Sequence, residues 1–322
     1  YMFSEKFVEL FGEPRIKNSK ITKRHQEIAG AMQRVFIDVC KHIFLSSKKL
    51  NNSDNLVFSG GSAMNSVLNG LIDNFNFYKN SHISYAPDDS GVAIGAALLA
   101  NYRFSKKNRK VEEIKANYFG PNYRDTIIKE YLDNSKIKYS KPKNISKEVA
   151  YGLSKGKFVG WFNDRMEFGP RALGNRSILA DPRRNENKKL LNFAVKFREG
   201  FRPFAPSVLS EFASQIFEIK KNRDVNFMER VFKIKRNWIK KVPAVSHIDG
   251  TGRLQTVHKN INPDFYDLIN EFYKLTGIPL ILNTSFNLND EPIVMSPKDA
   301  VRSFYSSGLD WLVLGPYLIK KD

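Results

Sequence analysis

Cysteine is nearly absent. The single one, Cys40, excludes an internal disulfide and suits a reducing compartment. It falls in a helical pattern, where a lone thiol reads as a small buried hydrophobe. Long apolar runs are also missing; none approaches the ~20 residues that a membrane-spanning helix needs. The opening residues, Tyr1-Met2-Phe3-Ser4-Glu5-Lys6, lack the basic-then-apolar order of a secretory signal. These absences point to a cytoplasmic protein with no membrane span, and a chain starting at Tyr1 reads as part of a longer product. Acidic residues are few, 33 against 52 basic ones, for a net charge of +19. That excess attracts anions (nucleotides, nucleic acid or acidic membrane surfaces) without choosing among them. No internal repeat is visible. Hydrophobic residues make up 42% of the chain, ample for buried cores, and 322 residues suggest roughly two domains.

The densest signal runs from Trp161 to Leu209. It holds seven arginines: Arg165, Arg171, Arg176, Arg183, Arg184, Arg198 and Arg202. They are interleaved with Gly169, Pro170, Gly174, Phe168, Leu173, Ile178, Phe201 and Phe204. A solvated basic face needs no glycine or aromatic residue between its charges. A folded pocket for an anion does, because glycine permits close backbone approach and apolar neighbours hold each guanidinium in place. Arginine also presents a planar fork of donors that matches phosphate or carboxylate. The pattern therefore favours a structured site for a phosphorylated small molecule over a basic surface paired with Glu167, Asp181, Glu186 and Glu199.

Other stretches frame this one. Between Thr22 and Leu45, apolar residues fall at Ile28, Met32, Val35, Phe36, Val39 and Ile43, which predicts a helix with one buried face. Asn55 to Asn65 reads as a strand, a Gly60-Gly61 turn and a helix start. Such a turn aims backbone N–H groups at a phosphate, or is simply tight. Asp88-Asp89-Ser90-Gly91 precedes a small-residue helix over 92–99, expected to pack closely on a neighbour. The aspartates either cap that helix or ligate a hard cation. Residues 230–241 are basic around Trp238, as an exposed loop or strand edge more than a nucleic-acid contact. From Ala244 to Thr256 the pattern predicts strand, glycine-rich turn and strand, with Arg253 aimed from the turn. Ile278–Leu282 is a buried-strand candidate delivering the polar cluster Asn283–Asn287. Ser296-Pro297-Lys298-Asp299 starts a helix, and Trp311–Leu314 is the last expected strand.

RMEFGPRALGNRSILADPR, KFREGFRPFAPSVL, HIDGTGRLQTV and LNTSFN, in this order, resemble the C-terminal half of the O-carbamoyltransferases of nodulation-factor and antibiotic biosynthesis. SGGSAMN and APDDSGVAIGAA resemble the end of the preceding domain of that family. The resemblance implies an α/β protein: a partial actin/hexokinase-like (ASKHA) domain over 1–103, a linker over 104–117 and a YrdC-like α/β domain over 118–322. The family's His-x-x-x-His metal motif has no counterpart in this sequence, so the first domain is expected to be incomplete here.

The implied activity has two steps. The YrdC-like domain forms carbamoyl-adenylate from carbamoyl phosphate and ATP, and the ASKHA domain passes the carbamoyl group to a hydroxyl of a small-molecule or saccharide acceptor. By match to the family, Arg171, Lys196, Arg202 and Arg253 bind carbamoyl phosphate and the nucleotide phosphates. Arg165, Arg176, Arg198 and Asn283 support them, and Gly60, Gly61 and Asn65 hold the adenylate. Mg²⁺ accompanies ATP, and Asp89 ligates Fe²⁺ or another divalent metal. No nucleic-acid partner is expected. A tRNA threonylcarbamoylation-type factor or RNA-binding module is the competing class; tight tRNA binding at physiological salt would favour it.

Overall fold

A computed structural model describes residues 4–16, 19–105, 114–221 and 223–321. In chain order the elements are α1 (Glu5–Phe11), α2 (Lys23–Leu50), β1 (Asn55–Phe58), α3 (Ser66–Leu71), β2 (Asn80–Ile83), α4 (Gly91–Phe104), α5 (Asp125–Asn134), α6 (Ile145–Ser154), β3 (Val159–Phe162) and β4 (Arg176–Ala180). They continue with α7 (Glu186–Leu190), β5 (Ala205–Leu209), α8 (Ala213–Ile216), β6 (Arg230–Lys233), α9 (Arg236–Ile239), β7 (Thr251–Val257), α10 (Pro263–Thr276), β8 (Leu280–Ser285), α11 (Pro297–Tyr305), β9 (Trp311–Leu314) and β10 (Tyr317–Lys320). This is the α/β class expected from the sequence. The chain divides into two compact units, Tyr1–Val57 with Leu71–His82, and Phe58–Gly70 with Ile83–Asp322.

The smaller unit holds α1, α2 and most of a two-stranded β1–β2 sheet. The long helix forms as its periodicity predicts, but its apolar face is largely uncovered. Only Cys40 and Phe44 are buried, while Met32, Val35, Val39 and Ile43 are each more than half exposed.

The larger unit is built on an eight-stranded sheet in the order β10-β9-β3-β4-β8-β5-β7-β6. β3 runs parallel to β9 and β5 parallel to β7; the other pairs are antiparallel. Every residue of β3, β4, β5 and β9 is buried, as strands covered on both faces require. The helix α10 packs on α6, β5 and β8. It buries Phe265, Leu268, Ile269 and Phe272, an i, i+3, i+4, i+7 stripe. Its ends are fixed locally: Asn262 Oδ1 accepts from the Phe265 N–H, Pro263 occupies the first turn, and Gly277 closes it left-handed at φ 71°. Ser296 and Asp299 cap α11 reciprocally, as the sequence predicts.

Several expectations change. The small-residue helix α4 has no buried residue, and Val92 and Leu98 are 67% and 52% exposed. Ser90 precedes it without a side-chain cap. Ala244–Asp249 is not a strand but a hook, closed by the His247 N–H donating to the Thr251 carbonyl at 2.8 Å. Arg253 consequently lies within β7, not on the turn. A further strand, β10, follows the last one expected. Residues 230–241 do contain the sheet's edge strand, β6. Of the expected 104–117 linker, 106–113 lie outside the described residues. The assignment of residues 58–70 and 83–103 by the resemblance to the first domain is left as it stands; by compactness alone they group with the larger unit. There Asn69 Nδ2 donates to the Glu229 carbonyl, and Arg230 Nη1 to the Asn69 carbonyl.

Candidate functional site

The first part of the arginine stretch, residues 163–175, folds as a loop between β3 and β4, and its shape is set by protein contacts. The Glu167 carboxylate is buried and accepts the N–H groups of Leu173 (2.6 Å), Asn175 (2.8 Å) and Arg176 (3.3 Å). Burial raises its pKa, and those N–H groups oppose the shift. Gly169 (φ 122°) lies against the Tyr85 carbonyl, and Gly174 (φ 109°) against the Phe265 ring, with no room for a Cβ at either. These glycines therefore permit close approach of other parts of the protein rather than of a ligand. Asn283 Nδ2 donates to the Ala172 carbonyl, and Gln255 Nε2 to the Leu173 carbonyl, pinning the loop to β8 and β7.

The loop so held delivers Arg171 to a cavity of about 420 Å³. Arg253 reaches it from β7, and Arg198 and Arg202 from the segment entering β5. Arg171 and Arg253 have no hydrogen-bonding or ion-pair partner among the described residues, and Arg253 Nε is buried and unsatisfied. Burial lowers the pKa of both; for Arg253, Arg171 and Arg198 add to the effect, bringing it to about 9. Arg198 donates to Asn192 Oδ1 at 2.7 Å and lies over the Phe204 ring. Arg202 pairs with Glu199 at 2.9 Å. Four arginines thus line the cavity, and no Asp or Glu is among its described lining residues; Glu199 meets Arg202 from outside that lining. Partly desolvated cations without counterions are costly, and a bound polyanion would offset that cost.

Lys196 stands one layer behind. It follows a π-helical turn over Leu191–Val195 and is only 3% exposed. Its ammonium donates to the Ser285 carbonyl (2.6 Å), the Asn287 carbonyl (3.0 Å) and Asn287 Oδ1 (2.7 Å). None of these acceptors is charged. Burial first, then Arg198, pushes its pKa down to about 7. Ser285 itself lines the cavity.

The remaining sequence candidates do other work or lie elsewhere. Arg176 is fully buried and donates to the carbonyls of Asn163, Asp164, Asn175 and Pro121. It stacks 3.6 Å from the Phe162 ring centroid, and burial brings its pKa to about 10. Arg165 is exposed and donates to the Tyr118 and Phe119 carbonyls. Gly60 (φ 94°) donates its N–H to the Pro87 carbonyl, and Gly61 opens a short turn to Met64. Asn65 Oδ1 accepts from the Leu68 N–H and so stabilises the start of α3, whose Ser66 and Val67 line the cavity. Asp89 is exposed, its carbonyl accepting from the Val92 N–H. Among the described residues no group of three His, Cys, Asp or Glu side chains could hold a metal. The donors present do not by themselves fit a protein-bound metal, and no step is derived through one.

Glu167, Gln255 and Asn192 were missed from sequence, as was His247, a cavity residue. The available signal was the HIDGT pattern, which sets a histidine two residues before an aspartate and four before a threonine.

Comparison with known proteins bears on the family of the chain. A model described as the carbamoyltransferase C-terminus matches residues 150–321, and one described as the carbamoyltransferase N-terminus matches 1–98. Nodulation protein NolNO of Sinorhizobium fredii is 40% identical over 316 residues, 96% of this chain and 46% of that protein. Nodulation protein NolO of Bradyrhizobium diazoefficiens is 38% identical over 311 residues, 95% of this chain and 57% of that one. The chain spans about half the length of these curated relatives. A solved structure of full-length HypF covers 55% of this chain and 22% of its own at 16% identity, and its TM-score of 0.36 is too low to carry an argument. The C-terminal match takes in all four cavity arginines and covers more than half of the sequence. On that ground this chain belongs to the carbamoyltransferase family.

Proposed function

We propose that the larger unit carries the anion-activating site of an O-carbamoyltransferase. In this reading the cavity binds carbamoyl phosphate and the phosphates of Mg²⁺-bound ATP; water cleaves carbamoyl phosphate to carbamate and phosphate, and the carbamate oxygen then attacks the α-phosphorus of ATP, forming carbamoyl-adenylate and releasing pyrophosphate. The carbamoyl group then passes to a hydroxyl of a small-molecule or saccharide acceptor. Residues 118–322 correspond to the YrdC-like domain of the resemblance, and 1–103 to part of the ASKHA domain.

One observation carries this reading: Arg171 and Arg253 face a common cavity with no partner of their own among the described residues. Two anionic substrates repel each other, so bringing them together is chiefly a problem of charge and position. Fixed guanidinium groups neutralise that repulsion without reorganising. Arg198 and Arg202 extend the positive wall toward solvent. Lys196 holds Ser285 and Asn287 in place, so the floor of the site keeps its shape.

The test is carbamoyl-phosphate-dependent exchange of pyrophosphate into ATP by the full chain. Exchange is expected. Arg171→Met should lower it tenfold or more, since one lost charge-assisted contact is worth roughly 1.5–3 kcal/mol. No exchange by a folded chain that also fails to bind ATP would refute the proposal.

A further inference from the structure

His247 lines the same cavity as the four arginines, yet the proposed reaction gives it no role. Its hydrogen bonds reveal which nitrogen carries the proton. The Thr251 hydroxyl donates to Asp249 Oδ1 at 2.7 Å, and the Thr251 N–H donates to the same oxygen at 3.1 Å. A hydroxyl has one hydrogen, and a carboxylate oxygen only accepts. Thr251 Oγ1 has therefore used its proton, so its 2.9 Å contact with His247 Nδ1 requires Nδ1 to donate. In a neutral imidazole the other nitrogen, Nε2, is then a bare acceptor. It has no hydrogen-bonding partner among the described residues. Burial pushes the ring's pKa down and so favours its neutral form; Asp249 opposes this, while Arg253 and Lys188 reinforce it.

An acceptor set among guanidinium donors is misplaced in a site that reads phosphate alone. The terminal oxygens of a substrate's phosphoryl dianion, R–O–PO₃²⁻, only accept, and a facing lone pair repels them. A ligand that carries an N–H donor beside its phosphate resolves the conflict. Resting on the carbamoyl phosphate reading above, we propose that His247 Nε2 accepts a hydrogen bond from the carbamoyl NH₂ group. The residue thereby selects the carbamoyl donor over acyl phosphates of the same shape that end in a methyl group. A site built to pair a substrate N–H rejects the analogue that lacks it, because its own polar group is left unpaired. Thr251 and Asp249 act as positioning residues, holding the ring proton on Nδ1.

The experiment is calorimetric titration of the full chain with three probes: inorganic phosphate, phosphonoacetamide and 2-oxopropylphosphonate. The last two resist hydrolysis and differ only in NH₂ against CH₃. The wild-type chain should bind the amide about tenfold more tightly than the ketone, the effect of one hydrogen bond. His247→Leu should bind both equally and, with the facing lone pair removed, should bind inorganic phosphate at least as tightly as the wild-type chain. His247→Gln, which offers an amide oxygen near the position of Nε2, should keep part of the preference. Thr251→Val frees the ring to carry its proton on Nε2, and should lose the preference without any loss of phosphate affinity. A wild-type chain without preference, or a His247→Leu chain that retains it, overturns the assignment. Failure of all three probes to bind the wild-type chain overturns the phosphate-site reading itself, and His247's role with it, so the two failures are distinguishable.

Discussion

Arg253→Met is expected to make the unliganded protein more stable while destroying its response to phosphate. Methionine keeps an unbranched, apolar stem of similar reach and removes the charge. In the structure that charge is held in β7 with Arg171 and Arg198 nearby, with no acceptor of its own, and with Nε buried. Burial first, then Arg171 and Arg198, push its pKa well below the ordinary guanidinium value to about 9, which reflects the penalty. At about 1.4 kcal/mol per pKa unit this bounds the penalty near ~5 kcal/mol. Solvent in the open cavity and local relaxation reduce it, leaving roughly 1–2 kcal/mol to be recovered by the substitution. For a unit of this size that is a rise in Tm of about 2–6 °C. The sign check for pH agrees. From about pH 9 up to the ordinary guanidinium range the unfolded chain binds the proton that the folded one has lost, so stability from this group rises with pH there, and near pH 7 the full penalty stands. Differential scanning fluorimetry with and without inorganic phosphate reads both effects. The wild-type Tm should climb with phosphate in proportion to the logarithm of its concentration above Kd, and the Met variant's should not. A variant that melts lower than wild type yet still responds to phosphate would refute the reasoning, since Arg253 would then be a structural residue.

Further outcomes follow from the same contacts. Lys196 titrates near 7 when folded against 10.5 when unfolded, so wild-type stability should increase from pH 7 to pH 9; Lys196→Met should flatten that increase in urea titrations at the two pH values. Arg176→Leu should destabilise the larger unit by roughly 3–5 kcal/mol, by orphaning buried carbonyls and the Glu167 carboxylate, with phosphate affinity unchanged in the folded fraction. Gly174→Ala should cost about 3 kcal/mol or more, because a Cβ at φ 109° meets the Phe265 ring; chemical denaturation reads it. Arg202→Lys keeps the charge but loses the fork, and should lower the pyrophosphate exchange rate about tenfold (~1.4 kcal/mol).

The sequence alone determined the class of the fold, because the elements are written in local patterns. The stripe on α10, the cap at Ser296 and the apolar runs of β3, β8 and β9 each depend on neighbours a few residues away. It also singled out the arginine-rich, glycine-punctuated stretch that supplies three of the four arginines lining the cavity. Tertiary structure alone decided which arginines face the cavity. Arg171 and Arg176 are five residues apart in one motif and have the same chemistry. The former ends in open space beside Arg253, and the latter beneath Phe162 among backbone carbonyls, because the Glu167 hinge and the Gly174 turn send them to opposite sides of the loop wall. Periodicity likewise predicted buried faces on α2 and α4, but whether a face is covered depends on partners distant in sequence, which a local pattern does not encode. His247 shows the same division. Its motif is plain in the sequence, but the proton on Nδ1 is fixed by a hydroxyl and a carboxylate that come into register only when the chain hooks back into β7.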